Sequence, residues 1–421
     1  MKNYSTKILA CLGLVVLSGV GALAQQNKTS NKSKAQTSTP KLDLPKPYAT
    51  KSAVNNPSVI GWKDGKMPVA PEGFKVNKFA EGFQNPRWIY MGPNGDLFVS
   101  ESSTAPTSAN QITILRDSDK DGKYDVRKVF LSNQNKPFGM LVLGDYFYVA
   151  NTDALMRYPY KAGQENISET GKKIVALPES GYNNHWTRNI IASPDGKKIF
   201  ISVGSGSNNG ENGMDKEVRR ANILEINPDG TGEKIYAAGL RNPVGMDFYP
   251  GSNTLWTAVN ERDELGDNLV PDYITSVKRD GFYGWPYAYL GPNEDPRMKG
   301  KAPELVKKTI VPDVLLVSHT ASLGLTFYKQ NSFPEKYRNG AFVGQHGSWN
   351  RSELSGYKVV FVPFKDGKPG GKTEDFLTGF IDEADKSRVF GRPVCVTVIG
   401  DGSLLVSDDS SNTIWQVTAE K

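Results

Sequence analysis

The sequence is poor in the residues that most often carry covalent or metal chemistry: it has two cysteines and three histidines in 421 residues. Two thiols cannot build a disulfide framework, and no CxxCH motif is present to attach a haem. Positive charge is lacking where a nucleic acid would need it. The formal net charge is +6, but eight Lys and a single acid, Asp43, fall within residues 1–60, leaving a net charge of −1 on the rest. A nucleic-acid binder carries its charge on the folded face, so nucleic acid is excluded as the main partner. Amphipathic helical stretches are scarce, and 42 Gly with 26 Pro are too many for a helical bundle. A hydrophobic share of 38% still supports a large core and rules out a disordered or collagenous chain.

What is present begins with a leader. Met1–Lys7 carries two lysines, Ile8–Gly21 is an apolar run broken only by small residues, and Ala22-Leu23-Ala24 supplies the small-x-small pattern of a signal-peptidase site. The run is shorter than the roughly 18 apolar residues of a membrane-spanning helix. A lipobox reading of Ile8-Leu9-Ala10-Cys11 leaves only three apolar residues after Lys7, too few for a hydrophobic region. Residues 1–24 are therefore expected to be a signal peptide, with the protein periplasmic or secreted and no transmembrane segment in the mature chain. Cys11 leaves with the leader, and Cys395 is expected to be buried as a small apolar residue. Residues 25–70 are rich in Lys, Ser, Thr, Asn and Pro, and read as a flexible linker with at most a loosely docked distal part. Residues 71–421 are the expected folded domain.

Within that domain a Gly/Asp/Asn turn followed by a short strand rich in Val, Phe and Tyr recurs. It appears as GPNGDLFVSES (92–102), GDYFYVANTD (144–153), SPDGKKIFISVGS (193–205), YPGSNTLWTAVNE (249–261), GAFVGQHGS (340–348) and GDGSLLVSDDS (400–410). These are hairpin signals at the wide spacing of propeller blades. Six copies predict an all-β fold, a six-bladed β-propeller with four-stranded antiparallel blades and its functional loops at one mouth. Two stacked β-sandwiches are the alternative, but no second linker-like shift in composition follows residue 70.

Rare polar residues crowd the loops around these strands. His185, in Tyr182–Asn189, can act as a general base, with Arg188 three residues on to hold an anion; a histidine satisfying a local turn is the plainer reading. Arg241-Asn242-Pro243 presents a cation and an amide pinned by proline, suited to a carboxylate or to an inter-blade salt bridge. Glu261, Asp263, Glu264 and Asp267, followed by Asp272, offer hard oxygen ligands for Ca²⁺, or a solvated acidic loop. Gly281–Pro286 sets aromatics on a glycine-bent loop. Asp117–Gly122 copies the start of an EF-hand, but Lys128 stands where the bidentate Glu belongs, so a hairpin turn is expected. Gly204–Gly210 lacks the spacing and following helix of a phosphate loop, and no GxSxG nucleophile elbow occurs.

Taken in order, HWTRNIIASPDG, VGSGSN, GLRNPVG, NERDELGDN, GFYGWP, SHTASLG, GQHGSWNR and GRPVCV give residues 70–418 a strong resemblance to the soluble glucose/sorbosone dehydrogenase family, and within it to the sorbosone-type branch. Members are quinoproteins that use pyrroloquinoline quinone (PQQ) and calcium on a six-bladed propeller. The resemblance implies that His185 is the catalytic base, taking the substrate hydroxyl proton as hydride passes from the anomeric carbon to PQQ. It implies cofactor contacts from Gln134, Arg188, Arg241, Asn242, Arg351 and Arg392. The cofactor calcium falls to the backbone carbonyls of Glu261 and Arg262, with Asp263 and Asp267 serving that loop or a nearby structural calcium. Ser205 stands where glucose-oxidising members have an aspartate that orients the histidine, and the Gly347–Arg351 loop replaces their PQQ-facing lysine. His319 and His346 fall in branch motifs, either at the mouth or packed beside it.

The expected function is PQQ- and Ca²⁺-dependent oxidation of an aldose or aldosone at C1 to the lactone or acid. Electrons would pass to an external cytochrome or quinone. A calcium-dependent propeller lactonase is the rival enzyme, needing Ca²⁺ caged by side-chain carboxylates in the central channel. A non-catalytic propeller binding glycans or proteins at the same mouth is the third reading.

Overall fold

The six turn-and-strand segments each become the second strand of one blade. These strands are Leu97–Glu101, Tyr146–Ala150, Ile199–Val203, Leu255–Asn260, Gly340–Gln345 and Leu404–Asp408. Each is buried along nearly its whole length, because a blade lies between two neighbours and both of its faces are covered. Apolar side chains therefore run on both faces of these strands, with none of the in-out alternation of a half-exposed sheet. The preceding turns set the hairpins. At Gly95, φ of +88° lets the 92–96 turn close with its amide on the Gly92 carbonyl, 3.0 Å away.

In this computed structural model, which describes residues 42–179 and 185–420, six four-stranded antiparallel sheets form a β-propeller. Blade 4 takes its outer strand, Val314–Ser318, only after a long insertion, and blade 3 gains a short parallel strand, Gly281–Phe282, from that insertion. Blade 6 is completed by Phe74–Glu81, which pairs with Thr413–Ala419 from the end of the chain. That closure joins the ring by main-chain hydrogen bonds and leaves no open seam. Between blades 1 and 2, aromatic contacts add to area burial: Phe147 meets Phe98 at 4.9 Å and Phe130 at 5.0 Å, pairs typically worth about 0.5–1.5 kcal/mol each. Cys395 is fully buried, as expected. The one α-helix among the described residues is Pro303–Lys308, and no helix among them is long and apolar enough to cross a membrane.

The leader expected at 1–24 and the first part of the linker, 25–41, lie outside the described residues. The described residues from Asp43 onward form one compact unit, and here the linker boundary needs correction. Ser58–Val59 pairs in parallel with Arg388–Val389. Trp62 packs against Phe380, Phe390 and Trp415 at 5.1–5.2 Å and donates its indole N–H to Asp408 Oδ2 at 2.9 Å. Val69 exchanges main-chain hydrogen bonds with Thr378. Polar composition hid this docking, which rests on a few apolar anchors and backbone pairing.

Candidate active site

Within every blade the start of the innermost strand and the end of the second strand lie at the same end of the sheet, because the two are antiparallel. The residues just outside them form one mouth: His185, Arg188 and Ser205 from blade 3, Arg241 and Glu261–Asp263 from blade 4, His319 and His346 from blade 5, and Arg392 and Asp408–Asp409 from blade 6. A cavity of about 180 Å³ at this mouth is lined by His185, Arg241, Asn260, Glu261, Asp263, Asp272, His319, Ala321 and Trp349.

His185 is fixed through one ring nitrogen. Nδ1 lies 2.9 Å from the Ser205 carbonyl and 3.0 Å from its hydroxyl, and that hydroxyl donates to Ser207 O at 2.6 Å. A carbonyl only accepts, so Nδ1 carries the proton. Nε2 keeps its lone pair and has no partner among the described residues. Burial, then the nearby charge of Arg241, hold the ring's pKa well below the usual value. The imidazole is neutral and basic at Nε2, as a general base requires.

Arg241 forms the adjacent wall. Its guanidinium donates to the Glu261 carbonyl at 2.7 Å, to Asn208 O and Oδ1 at 3.1 and 2.9 Å, and to Asp263 Oδ2 at 3.1 Å. Asn208 is itself pinned by Trp285, whose indole donates to its carbonyl at 2.9 Å. The GFYGWP loop thus packs beneath the site and supports Arg241. Asp263 also faces His319 Nδ1 at 3.2 Å, while His319 Nε2 meets Gly266 O at 2.9 Å. Both partners are acceptors, so both ring nitrogens carry protons and His319 is an imidazolium. Burial alone would lower its pKa, but the bond to Asp263, that carboxylate's charge and the Gly266 carbonyl outweigh it and raise it. Asp272 lies behind, with burial pushing it up to about 6; it accepts from Glu261 N, Ser322 N and Thr320 Oγ1.

Asn242 Oδ1 is buried and has no hydrogen-bond partner. Gly204 explains how it and His185 approach so closely: a Cβ there would lie 2.3 Å from Asn242 Oδ1 and 2.6 Å from His185 Cβ. Arg392 donates to the His346 and Gly347 carbonyls, both at 3.0 Å, over the Tyr357 ring, and its Nη1 has no partner among the described residues. His346 meets Asp409 at 3.0 Å, and burial with the Arg392 charge brings its pKa down to about 4.

Other expected residues take supporting positions. Arg188 is fully buried, and its Nη atoms donate to the carbonyls of His185, Thr187 and Pro178. It braces the His185 loop and offers no free fork for an anion. Gln134 accepts from Asn151 and Tyr158 and donates to Ser132 O, so its amide joins blades 1 and 2. The Arg262 side chain is sealed among Glu261, Asp295 and the carbonyls of Pro286 and Ala288. Only its backbone is left for a metal. Arg351 donates to Asp267 O at 2.7 Å, and the Asp267 carboxylate holds Ser352, so Asp267 ties loops together away from the cavity. Sequence reasoning gave Asn208 and Trp349 no roles of their own, although each lies in a motif of the resemblance, and it offered Asp272 only as a Ca²⁺ ligand, whereas its carboxylate holds Glu261 N, Ser322 N and Thr320.

The sequence profile of the TrAA12-like family matches residues 68–277 and 301–420. The chain is 33% identical over 365 residues to an uncharacterized protein of Borreliella burgdorferi, covering 83% of this chain and 90% of that one. It is 31% identical over 186 residues to the aldose sugar dehydrogenase YliI of Escherichia coli, covering 40% of this chain and 47% of that protein. Among solved structures, the holo form of the pyranose dehydrogenase PQQ domain from Coprinopsis cinerea superposes with a TM-score of 0.69, at 20% identity and over 86% of this chain and 99% of that one. At that identity the likeness speaks to the fold.

Proposed function

The chain belongs to the TrAA12-like family, and from that premise we propose that it is an exported sugar dehydrogenase using PQQ and Ca²⁺ to oxidise an aldose or aldosone at C1. The observation that carries the reading is His185: neutral, tied at Nδ1 to Ser205, and free at Nε2 in a cavity lined by Arg241 and His319 beside the acids Glu261, Asp263 and Asp272. Relatives described as an aldose sugar dehydrogenase and as PQQ-dependent pyranose dehydrogenases support it. The SHTASLG and GQHGSWNR motifs favour the sorbosone-type branch.

The donor set fits a flat tricarboxylate. The unpartnered, buried Asn242 Oδ1 is the feature a polar group would satisfy, and the absence of a Cβ at Gly204 keeps it and His185 side by side. Arg392, whose Nη1 is unpartnered, would hold a PQQ carboxylate together with Asn242 and the charge of Arg241, whose Nη1 has one hydrogen beyond its bond to Glu261. The carbonyls of Glu261 and Arg262 would hold Ca²⁺. Glu261 O already accepts from Arg241, but a carbonyl has a second lone pair. When bound, PQQ would supply a hydride acceptor for the C1 hydrogen and Ca²⁺ a Lewis acid beside it.

His185 Nε2 takes the C1 hydroxyl proton, and the Ser205 carbonyl then stabilises the imidazolium through Nδ1–H. Arg241 fixes the adjacent wall through Asn208 and Asp263. Trp349, 41% exposed at the cavity edge, gives the apolar face of a sugar ring a platform. An external cytochrome or quinone receives the electrons. The lactonase reading is less well supported: among the described residues, the one acid group able to close on a metal is Asp117, Asp119 and Asp125, on a blade 1 hairpin outside the channel.

Titration of PQQ onto the apo-protein, followed by tryptophan quenching, tests this. Saturable binding that needs Ca²⁺, is abolished by a chelator and weakens in Arg241→Gln is expected. Absence of binding at micromolar PQQ with Ca²⁺ present overturns the reading.

A further inference from the structure

The loop that follows Glu261 is held from two sides. On the inner side, Asp263 and the Gly266 carbonyl grip the His319 ring. His319 sits at φ of +62°, a conformation costly for a side-chain-bearing residue, so its pose depends on these contacts. On the outer side lies a segment that precedes the propeller altogether. Tyr48 N donates to Leu265 O at 2.8 Å, and Asp267 N donates to Thr50 Oγ1 at 2.8 Å. The approach at Gly266 is close enough that a Cβ would stand 3.0 Å from both Thr50 O and Thr50 Oγ1.

The same segment reaches the second loop of the cavity. Asn55 N donates to the Trp349 carbonyl at 2.7 Å, and its side chain donates to Ser352 O at 2.9 Å. Asn350 closes the triangle, donating to Ala53 O at 2.9 Å and accepting from Glu264 N at 2.9 Å. Residues 48–55 therefore make main-chain or side-chain bonds to both loops that place His319 and Trp349 on the cavity wall.

We propose that Tyr48–Asn55 is a clasp of the active site, with Thr50 and Asn55 as positioning residues that act through the 263–268 loop on His319 and through the 348–352 loop on Trp349. The physical requirement is plain. Loops at a propeller mouth have no blade neighbour on their outer side, and loops are the low-stability parts of a fold. A ring whose two nitrogens each meet an acceptor, Asp263 Oδ1 and Gly266 O, needs those acceptors held to within a few tenths of an ångström. The clasp supplies the missing outer support. Its link to catalysis rests on the function proposed above, whereas its structural part does not.

The test uses the full protein with ¹⁵N-labelled histidine, where only three rings contribute signals. The parent should show two slowly exchanging ring N–H protons on His319. Removal of residues 25–42 should leave them unchanged. Removal of residues 25–56, which keeps Trp62 and the Ser58–Val59 pairing, should speed exchange of the Nε2 proton about tenfold or more and shift Trp349 emission. Should that truncation fail to fold, Thr50→Val with Asn55→Ala takes its place, and Thr50→Ser in the same background should restore part of the protection. In reconstituted enzyme the clasp variants should lose kcat/KM about tenfold with unfolding midpoints little changed. Unaltered His319 exchange and Trp349 emission without the clasp would overturn the proposal. Altered ring signals with full turnover would overturn the positioning role. A parent without PQQ-dependent turnover contradicts the proposed function, and the ring signals still judge the clasp.

Discussion

The Ser205 carbonyl lies 2.9 Å from Nδ1 of His185, so the orientation of this ring is set by main chain. Any residue at 205 offers the same carbonyl, so a serine there can orient the ring without a carboxylate. The hydroxyl adds a second contact at 3.0 Å, but its own proton is committed to Ser207.

Ser205→Ala follows directly. The carbonyl remains, so the tautomer of His185 and most of the activity should remain. A loss of about fivefold or less in kcat/KM is expected, the worth of one neutral hydrogen bond. Steady-state kinetics on reconstituted enzyme check this, and a loss of a thousandfold would place the orienting role on the hydroxyl instead.

Arg241→Gln should be costly in two ways. Arg241 is nearly fully buried and pairs with Asp263, so its removal leaves a buried carboxylate supported by His319 alone. Breaking a buried pair typically costs about 3–5 kcal/mol, and the remaining His319 contact should keep the loss toward the lower end. Urea denaturation measures the stability, and PQQ titration measures the loss of the anion contact.

Trp349→Ala separates binding from chemistry. The ring is partly exposed and does not reach the reacting proton, so KM should rise about tenfold while kcat changes little. Surface truncations of this kind alter stability by about 0.5 kcal/mol or less. A fall in kcat at constant KM would contradict the platform role.

The histidines set opposing pH dependences. His185 and His346 have pKa values lowered in the fold, by burial first and then by Arg241 and Arg392. Their stabilising contribution is complete above the unfolded value of about 6.5 and is lost as pH falls, for His346 down to about 4. His319 has a raised pKa, so its contribution is complete below the unfolded value and is lost as pH rises through the folded one. Urea denaturation across that acid range should show declining stability, and His346→Gln should flatten the decline. An unchanged slope in that variant would refute the assignment.

The propeller was legible because each second strand carries its own turn signal, as in Asn94-Gly95-Asp96 before Leu97 and Asp401-Gly402 before Leu404. His185, Arg241 and the acids around Asp263 were legible because polar residues concentrate where strands end. The division of labour among them was not. Arg188 and Arg241 look alike in sequence, yet one is turned inward onto three carbonyls and the other toward the cavity. Asn208 gains its role from Arg241 and Trp285, residues 33 and 77 positions away. Residues 43–62 read as linker because their few anchors, Trp62 above all, are sparse among polar neighbours. Long-range partners decide each of these cases, and local pattern does not encode them.

The most direct measurement is dye-coupled turnover of an aldose and aldosone panel by apo-protein reconstituted with PQQ and Ca²⁺, run beside His185→Asn. The account predicts turnover that requires both additions and falls about a hundredfold to ten-thousandfold in the variant, the usual worth of a general base. Turnover that survives intact in His185→Asn, or none in the parent with PQQ bound, would contradict it.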